Sequence, residues 1–218
     1  MASATPDPKS VAIITGSTRT PRVGPSVAAW VYDTLLPAAT SSSLVLAPVD
    51  LATFNLPIYD ESVIPAMVPS SATFSKPHTI AWSTEIQKHA AYILVTPEYN
   101  FGMPGAIKNA IDYLVNEWKG KPIAIVSYGV AGGESASENA SFVLGKVGLK
   151  VAETKTQLRF AGDHGPELYE AMLKGGLGPE TKGNWEKEKS ADVLKAFAEI
   201  KALLEEKPEV KEEDVAKA

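Results

Sequence analysis

The stretch VTPEYNFGMPGAIKNAIDYL, Val95 to Leu114, carries the main clue to the fold. It continues an apolar run, Ala91-Tyr92-Ile93-Leu94, and that run stops at Pro97. Short runs of this kind suit a strand buried on both faces of a parallel sheet. Glu98, Tyr99 and Asn100 follow, then Gly102, Pro104 and Gly105. Only then do Ile107, Ala110, Ile111 and Leu114 recur at spacings of three and four, which predicts a helix over about 104–116. Polar and aromatic groups are thus set on a sharp turn between a buried strand and a helix, a place where backbone can meet a ligand.

The same alternation extends outward. Apolar runs predict strands at Val11–Thr15, Ser43–Val49, Ile123–Ser127 and Lys150–Leu158, with Pro48 marking the end of its strand or a sheet edge. One helix opens at Pro25 with Gly24 as its cap, turns Val27, Trp30, Val31, Thr34 and Leu35 inward, and ends at Pro37. Others are expected at Pro77–His89, with Ile80, Ala81 and Ile86 inward, and at Glu134–Val147, with Phe142, Val143, Leu144 and Val147 inward. Toward the C-terminus, Glu167–Lys174 reads as a short helix. Lys187–Glu206 reads as an amphipathic one with Val193, Leu194, Phe197, Ile200 and Leu204 on its stripe. The rest of 159–184 is glycine-rich and patternless, and residues 65–71 read as loop. Five strands alternating with helices predict an α/β domain over 10–206, a parallel sheet covered on both faces, with flexible tails at 1–9 and 207–218.

Bulk composition narrows the function classes. The chain has 218 residues, 44% of them hydrophobic, enough for a sizeable core. A net charge of −5 argues against nucleic acid or an anionic membrane as the main partner. With no cysteine, disulfides, thiolate nucleophiles and Cys-based metal sites are excluded. The N-terminal MASATPDPKS has no apolar core of a secretory signal, and no run approaches a membrane span, so a cytoplasmic protein is expected.

In a parallel sheet the loops after the strands share one rim, where ligands bind. Loop one, TGSTRTPRVGPS, offers hydroxyls at Ser17, Thr18 and Thr20, guanidinium groups at Arg19 and Arg22, and a helix N-terminus. That chemistry describes a phosphate cradle, although the same residues read alone as a solvated loop with two surface arginines. The triphosphate pattern G-x-x-x-x-G-K-[ST] is absent, which leaves a triphosphate site unsupported, and the absence of G-x-G-x-x-G disfavours a dinucleotide turn; a terminal monophosphate needs no such glycines and suits a hydroxyl-rich loop. Turn two, Pro97 to Gly105, can present backbone N–H and C=O groups to the edge of a planar ring; Tyr99 and Phe101 also read as plugs for the sheet rim. Loop three, SYGVAGGESA, brings Gly129, Gly132 and Gly133 near such a ring, with Tyr128 beside it; on its own it is an ordinary strand-to-helix turn. Together the loops would surround a phosphorylated planar ring.

The segments GSTRTPRVGPSVAAWV (16–31), TPEYNFGMPGAIKNAIDYL (96–114) and SYGVAGG (127–133) resemble the NADPH-dependent FMN reductase family over about residues 10–158. The resemblance implies a flavodoxin-like three-layer sandwich with strand order 2-1-3-4-5. It implies FMN as cofactor and NADPH or NADH as the hydride donor to flavin N5, with a flavin, quinone or similar small acceptor reduced in turn. Ser17, Arg19, Arg22, Val23 and Gly24 match the family's phosphate loop. Many members carry a small polar residue where Arg22 stands. Pro97, Glu98, Tyr99 and Asn100 match the turn that contacts the isoalloxazine, and Ser127, Tyr128, Gly129, Gly132 and Gly133 match the third loop. Family members are usually dimers, sometimes tetramers, and FNLPIYDE (54–61) resembles a loop bordering that interface. The extension after 159, with His164, Tyr169 and Trp185, departs from the family core and reads as padding of the fold or as a cap over a neighbouring site.

No side chain is assigned as catalytic, since the cofactor carries the chemistry. The turn TGSTR lacks the G-x-S-x-G elbow of a hydrolase, and His78, His89 and His164 show no useful spacing and read as surface or loop residues. A flavodoxin-like electron carrier or flavin-binding regulatory module shares the fold, but this phosphate loop lacks the carriers' Thr-Gly-x-Thr type of pattern. An interaction protein that lost its flavin is the remaining alternative.

Overall fold

Strand β1 (Ser10–Thr15) lies between β2 (Val45–Asp50) and β3 (Ala91–Pro97), and parallel pairing continues through β4 (Pro122–Gly129) to β5 (Lys150–Arg159). The strand order is therefore 2-1-3-4-5, as the resemblance implies. The computed structural model describes residues 8–69 and 73–206. The expected tails through residue 7 and from residue 207, and the end of the expected 65–71 loop, lie outside the described residues.

Side-chain alternation along each strand builds two cores. Val11, Ile13, Ile93, Val95, Ala124 and Val126 face one side, where α1 (Gly24–Ser41), α5 (Pro166–Lys174), α6 (Pro179–Glu188) and α7 (Ser190–Glu205) cover them. Ala12, Ile14, Tyr92, Leu94, Ile123 and Ile125 face the other, beneath α2 (Pro77–Gln87), α3 (Gly105–Asp112) and α4 (Glu134–Val147). Pro48 sits on the edge strand, where a missing N–H is tolerated.

Several local expectations are corrected. Helix α1 continues through Pro37 to Ser41, because Leu35 and Ala39 on either side of the proline are both anchored in the core. Helix α3 stops at Asp112, where Leu114 N–H bonds to Ile111 O at 3.2 Å and tightens the last turn; Leu114 is buried all the same. On α2 Ile86 is buried and Ile80 partly buried against the core as expected, joined by Thr79, Trp82 and Ser83, while Ala81 is exposed. On α4 Leu144 is buried as expected, with Ala136, Ser137 and Ala140 beside it, and Val143 and Val147 are partly buried against the same core; of the four expected residues only Phe142 is exposed, its ring beside the Lys146 ammonium. The C-terminal stripe runs through Val193, Ala196, Phe197 and Ile200, with Leu194 on the solvent side. Lys189 breaks the expected 187–206 helix into α6 and α7. His89 is buried, its ring nitrogens meeting Ser10 Oγ at 2.9 Å and Glu85 Oε1 at 3.1 Å, so it is not a surface residue.

Candidate cofactor site

Register places the strand ends side by side. Thr15 pairs with Asp50 and with Val95, and Pro97 pairs with Tyr128, so the loops after β1, β3 and β4 leave the sheet at one rim. Chain direction diverges between β1 and β3, the crevice where open α/β sheets bind ligands.

Loop one leaves β1 through Gly16, whose N–H bonds to Val95 O at 2.9 Å. A Cβ there would lie 2.4 Å from Ile107 Cδ1 and 3.1 Å from Val95 O, so any side chain would force Ile107 to shift where β1, β3 and α3 meet. Ser17 is fully buried and its Oγ makes no well-formed hydrogen bond. A Cβ on Gly24 would lie 2.0 Å from that Oγ and 2.8 Å from the Tyr128 hydroxyl, so Ser17, Gly24 and Tyr128 meet at one point. Thr18, Arg19 and Thr20 are exposed. Val23 occupies the N-cap of α1 without a side-chain cap, Pro25 stands in the first turn, and that turn holds no acidic residue. The helix thus offers its N–H groups and the positive end of its dipole without a competing side-chain anion on its own first turn.

Arg22 does not reach outward from this loop. Its Nη1 donates to Ser17 O and to Asp50 Oδ1, both at 2.8 Å, and its Nη2 donates to Asp50 Oδ2 at 2.6 Å. Burial works against the charge of Asp50, yet the bonds from Arg22 and from Ala52 N–H hold its carboxyl below the usual range. The bonded carboxylate in turn raises the Arg22 guanidinium.

Turn two closes on itself. Tyr99 N–H bonds to Gly102 O at 3.1 Å, and Gly102 N–H returns to Tyr99 O at 3.2 Å. Between them, Asn100 (φ 49°) and Phe101 (φ 59°) are both left-handed. This is a tight turn of the mirror-image type, for which glycine or asparagine is usual. Phenylalanine at such a φ is strained, and its ring is 87% exposed. Gly102 and Gly105 are different: an added Cβ would meet nothing within 4 Å, so packing inside the chain requires neither. The Arg19 guanidinium lies 5.0 Å over the Tyr99 ring and links loop one to this turn. Burial pushes the Tyr99 phenol up, against the nearby arginines.

Loop three is shaped by Gly132 (φ 82°) and Gly133 (φ 78°). A Cβ on Gly133 would come within 2.9 Å of Ser127 Cβ and 3.0 Å of Tyr128 N. Ser127 Oγ donates to Gly132 O at 2.8 Å, and Gly132 N–H closes on Gly129 O at 3.1 Å. Glu98 N–H donates to Tyr128 O at 3.0 Å, so turn two and loop three are bonded directly. Burial pushes the Tyr128 phenol up.

The structure therefore brings Ser17, Arg19, Val23, Gly24, Pro97, Glu98, Tyr99, Asn100, Ser127, Tyr128, Gly129, Gly132 and Gly133 to one rim, with Arg22 behind it and paired. Sequence reasoning missed Asp50. Its one signal was an aspartate closing a strand whose end lies on that rim. Beside loop one, a cavity of about 160 Å³ is lined by Thr18, Leu51, Ala52, Asn55, Leu56 and Ala106.

An uncapped helix terminus with an arginine beside it suits a phosphate, and glycines open on one side suit a flat ring; these residues fit FMN. Such a rim on a 2-1-3-4-5 sheet defines a flavodoxin-like flavoprotein. Residues 9–161 match the family described as NADPH-dependent FMN reductase, and the chain belongs to that family. It is 47% identical over 201 residues to an NAD(P)H-dependent FMN reductase of a Nectria species, covering 91% of this chain and 98% of the relative. It is 32% identical to an NAD(P)H-dependent FMN reductase of Schizosaccharomyces pombe, covering 92% and 93%. Among solved structures, the flavoenzyme NAD(P)H:(acceptor) oxidoreductase FerB of Paracoccus denitrificans superposes with a TM-score of 0.60 at 23% identity, over 88% of this chain and 98% of that one, a likeness of fold.

Proposed function

We propose that this chain is an FMN-dependent NAD(P)H oxidoreductase that passes reducing equivalents to a flavin, quinone or similar small acceptor. The observation that carries this reading is the meeting of the uncapped α1 N-terminus, the Tyr99–Gly102 turn and the Gly132–Gly133 loop at one rim. FMN, when bound, supplies the hydride-transfer chemistry. The protein's own residues then have separate tasks. The N–H groups around Val23 and Gly24, with Arg19, hold the phosphate. Backbone groups of Pro97, Glu98, Tyr99 and Asn100 meet one edge of the ring. Gly129, Gly132 and Gly133 let loop three approach it closely, and Ser17, Ser127 and Tyr128 fix the loops that do so. Backbone N–H donors aimed at the ring would stabilise negative charge gained on reduction.

We further propose a cytoplasmic homodimer whose interface borders this rim. Ile58, Ile64, Met67 and Phe101 support it, as large apolar side chains exposed near residues 54–67 and on turn two. No helix among the described residues is long and apolar enough to cross a membrane.

The test is anaerobic mixing of the FMN-loaded chain with NADPH or NADH. Rapid loss of flavin absorbance without a partner enzyme, restored by a quinone or free flavin, is the expected result. Flavin that stays oxidised until a partner reductase is added would make the chain an electron carrier. A colourless chain that takes up no FMN would overturn the reading.

A further inference from the structure

Arg22 and Asp50 lie 28 positions apart, and their side chains are bonded to each other through both terminal guanidinium nitrogens. Arg22 is 19% exposed and Asp50 33%. Of the five guanidinium donors, the three bonds to Ser17 O, Asp50 Oδ1 and Asp50 Oδ2 use the two terminal nitrogens. Asp50 Oδ1 also accepts from Ala52 N–H at 3.1 Å, which ties the pair to the 51–54 turn. The Ser17 carbonyl so held is the first peptide group after Gly16. The other end of the same loop is held from a third element: a Cβ on Gly175, at the C-terminus of α5, would lie 2.6 Å from Arg22 O, and Ser26 Oγ donates to Gly175 O at 3.2 Å.

We propose that Asp50 is a positioning residue for the cofactor phosphate, drawing the Arg22 guanidinium onto the Ser17 carbonyl so that Arg22 braces the phosphate loop instead of binding the phosphate. This rests on the FMN reading above. Arg22 is then the chord of a loop whose N–H groups point at the anion, and Arg19, exposed on the same loop, is the cation that meets it. Simple electrostatics gives the opposite expectation for Asp50. Deleting a carboxylate close to a dianionic phosphate lowers repulsion and releases an arginine, so FMN should bind more tightly. A brace gives weaker binding, because the loop donors lose their preorganised aim.

The experiment measures FMN and riboflavin dissociation constants by fluorescence quenching for the wild type, Asp50→Ala, Asp50→Asn, Arg22→Ala and the Arg22→Ala/Asp50→Ala pair. The expected result is FMN affinity lowered about tenfold or more in both single alanine variants, the scale of a lost charge-assisted bond. Riboflavin, which lacks the phosphate, should change less than about twofold, whereas a general loss of structure would weaken both flavins alike. The double variant should be no weaker than either single one, since both remove the same contact. Arg22→Ala keeps the bond from Ala52 to Asp50, so a matching loss there places the effect in the ion pair. Should Asp50→Ala fold poorly, Asp50→Asn keeps the shape and tests the charge alone, with the same sign expected. FMN binding at wild-type strength or tighter in the Asp50 variants overturns the inference while leaving the FMN reading intact. So does a loss in Arg22→Ala far exceeding that in Asp50→Ala, since Arg22 would then be a phosphate ligand. A wild-type chain that binds neither flavin overturns both.

Discussion

Glu98 Oε2 accepts a hydrogen bond of 3.2 Å from Ala136 N–H, fastening the turn after β3 to the first turn of α4. A carboxylate here also faces the positive end of a helix dipole. The backbone of the same residue bonds to Tyr128 O at 3.0 Å. Turn two and loop three are therefore fastened together at Glu98, by both its side chain and its main chain.

Glu98→Ala should loosen that joint and lower FMN affinity by roughly 0.5–1.5 kcal/mol, the net worth of one hydrogen bond. Glu98→Gln keeps an acceptor in place and should lose less. Fluorescence titration of both variants decides it. Equal, wild-type affinities would mean that the bond to Ala136 does nothing for the ring site.

Arg19 differs from Arg22 in having no carboxylate partner among the described residues, its guanidinium resting instead 5.0 Å over the Tyr99 ring. Arg19→Ala should weaken FMN by roughly 1.5–3 kcal/mol through loss of a charge-assisted bond. Riboflavin affinity and the unfolding midpoint should hardly change, because the side chain is exposed. Titration with both flavins, repeated at higher salt, gives the answer; an FMN affinity equal to wild type excludes Arg19 from the phosphate site.

Two glycines make an informative pair. Gly133→Ala should destabilise the chain by about 1–3 kcal/mol, since its φ is 78° and its Cβ would press on Ser127 and the Tyr128 backbone. Gly102→Ala meets open space, so it should leave the urea midpoint within about 0.5 kcal/mol of wild type. It should nevertheless lower FMN affinity if the ring edge comes close to this turn. Both readouts come from unfolding and binding curves on the same two proteins.

How far these relationships were legible in the sequence depends on their range. Strands were readable because runs such as Ala91–Val95 are apolar on both faces, and the rim loops because Gly16 follows β1, Pro97 ends β3 and Gly129 ends β4. On α4 Val143, Leu144 and Val147 were readable as inward, but Phe142 was misplaced with them, because its apolar bulk masks the small Ala136 and Ala140, which pack against the sheet. The break between α6 and α7 was hidden for a related reason: Lys187 to Glu205 keeps helical spacing across Lys189. The Arg22–Asp50 pair was hidden by distance in sequence, since a loop arginine and a strand-ending aspartate meet only once β2 pairs with β1.

At the opposite end of the sheet, Lys121 Nζ donates to Ile86 O at 3.1 Å and to Tyr92 Oη at 2.9 Å. Burial pulls its amine down to about 8, with Glu117 acting the other way. The unfolded chain, with an ordinary lysine, then holds this proton more tightly than the folded one. The cost of the buried charge is fully present below about pH 8 and is relieved as pH rises toward about 10.5. Lys121→Met should remove that cost, while Tyr92 keeps its own bond to Ile86 O at 2.7 Å. The melting-temperature advantage of the variant over wild type should therefore shrink between pH 8 and 10. A difference independent of pH would show that the amine does not titrate in this window.

Trp185 lies beyond the stretch matched by the family, which ends at residue 161, and is 2% exposed. Its ring meets Trp30 of α1 edge-on at 5.4 Å and Phe160 at 5.7 Å, and its Nε1 donates to Arg159 O at 2.6 Å. The α1 face of the sheet is thus closed by α5 to α7 rather than merely padded by them, and Ala171, Val193, Phe197 and Ile200 belong to the same core. Trp185→Ala should cost about 3–5 kcal/mol, the range for a large aromatic removed from a packed core. Because the residue bridges the extension and α1, unfolding should stay a single transition shifted to lower urea, and circular dichroism and tryptophan fluorescence should report the same midpoint. Two separated transitions would instead show that residues 160–206 unfold independently of the sheet, and the 10–206 unit would then have to be divided near Phe160.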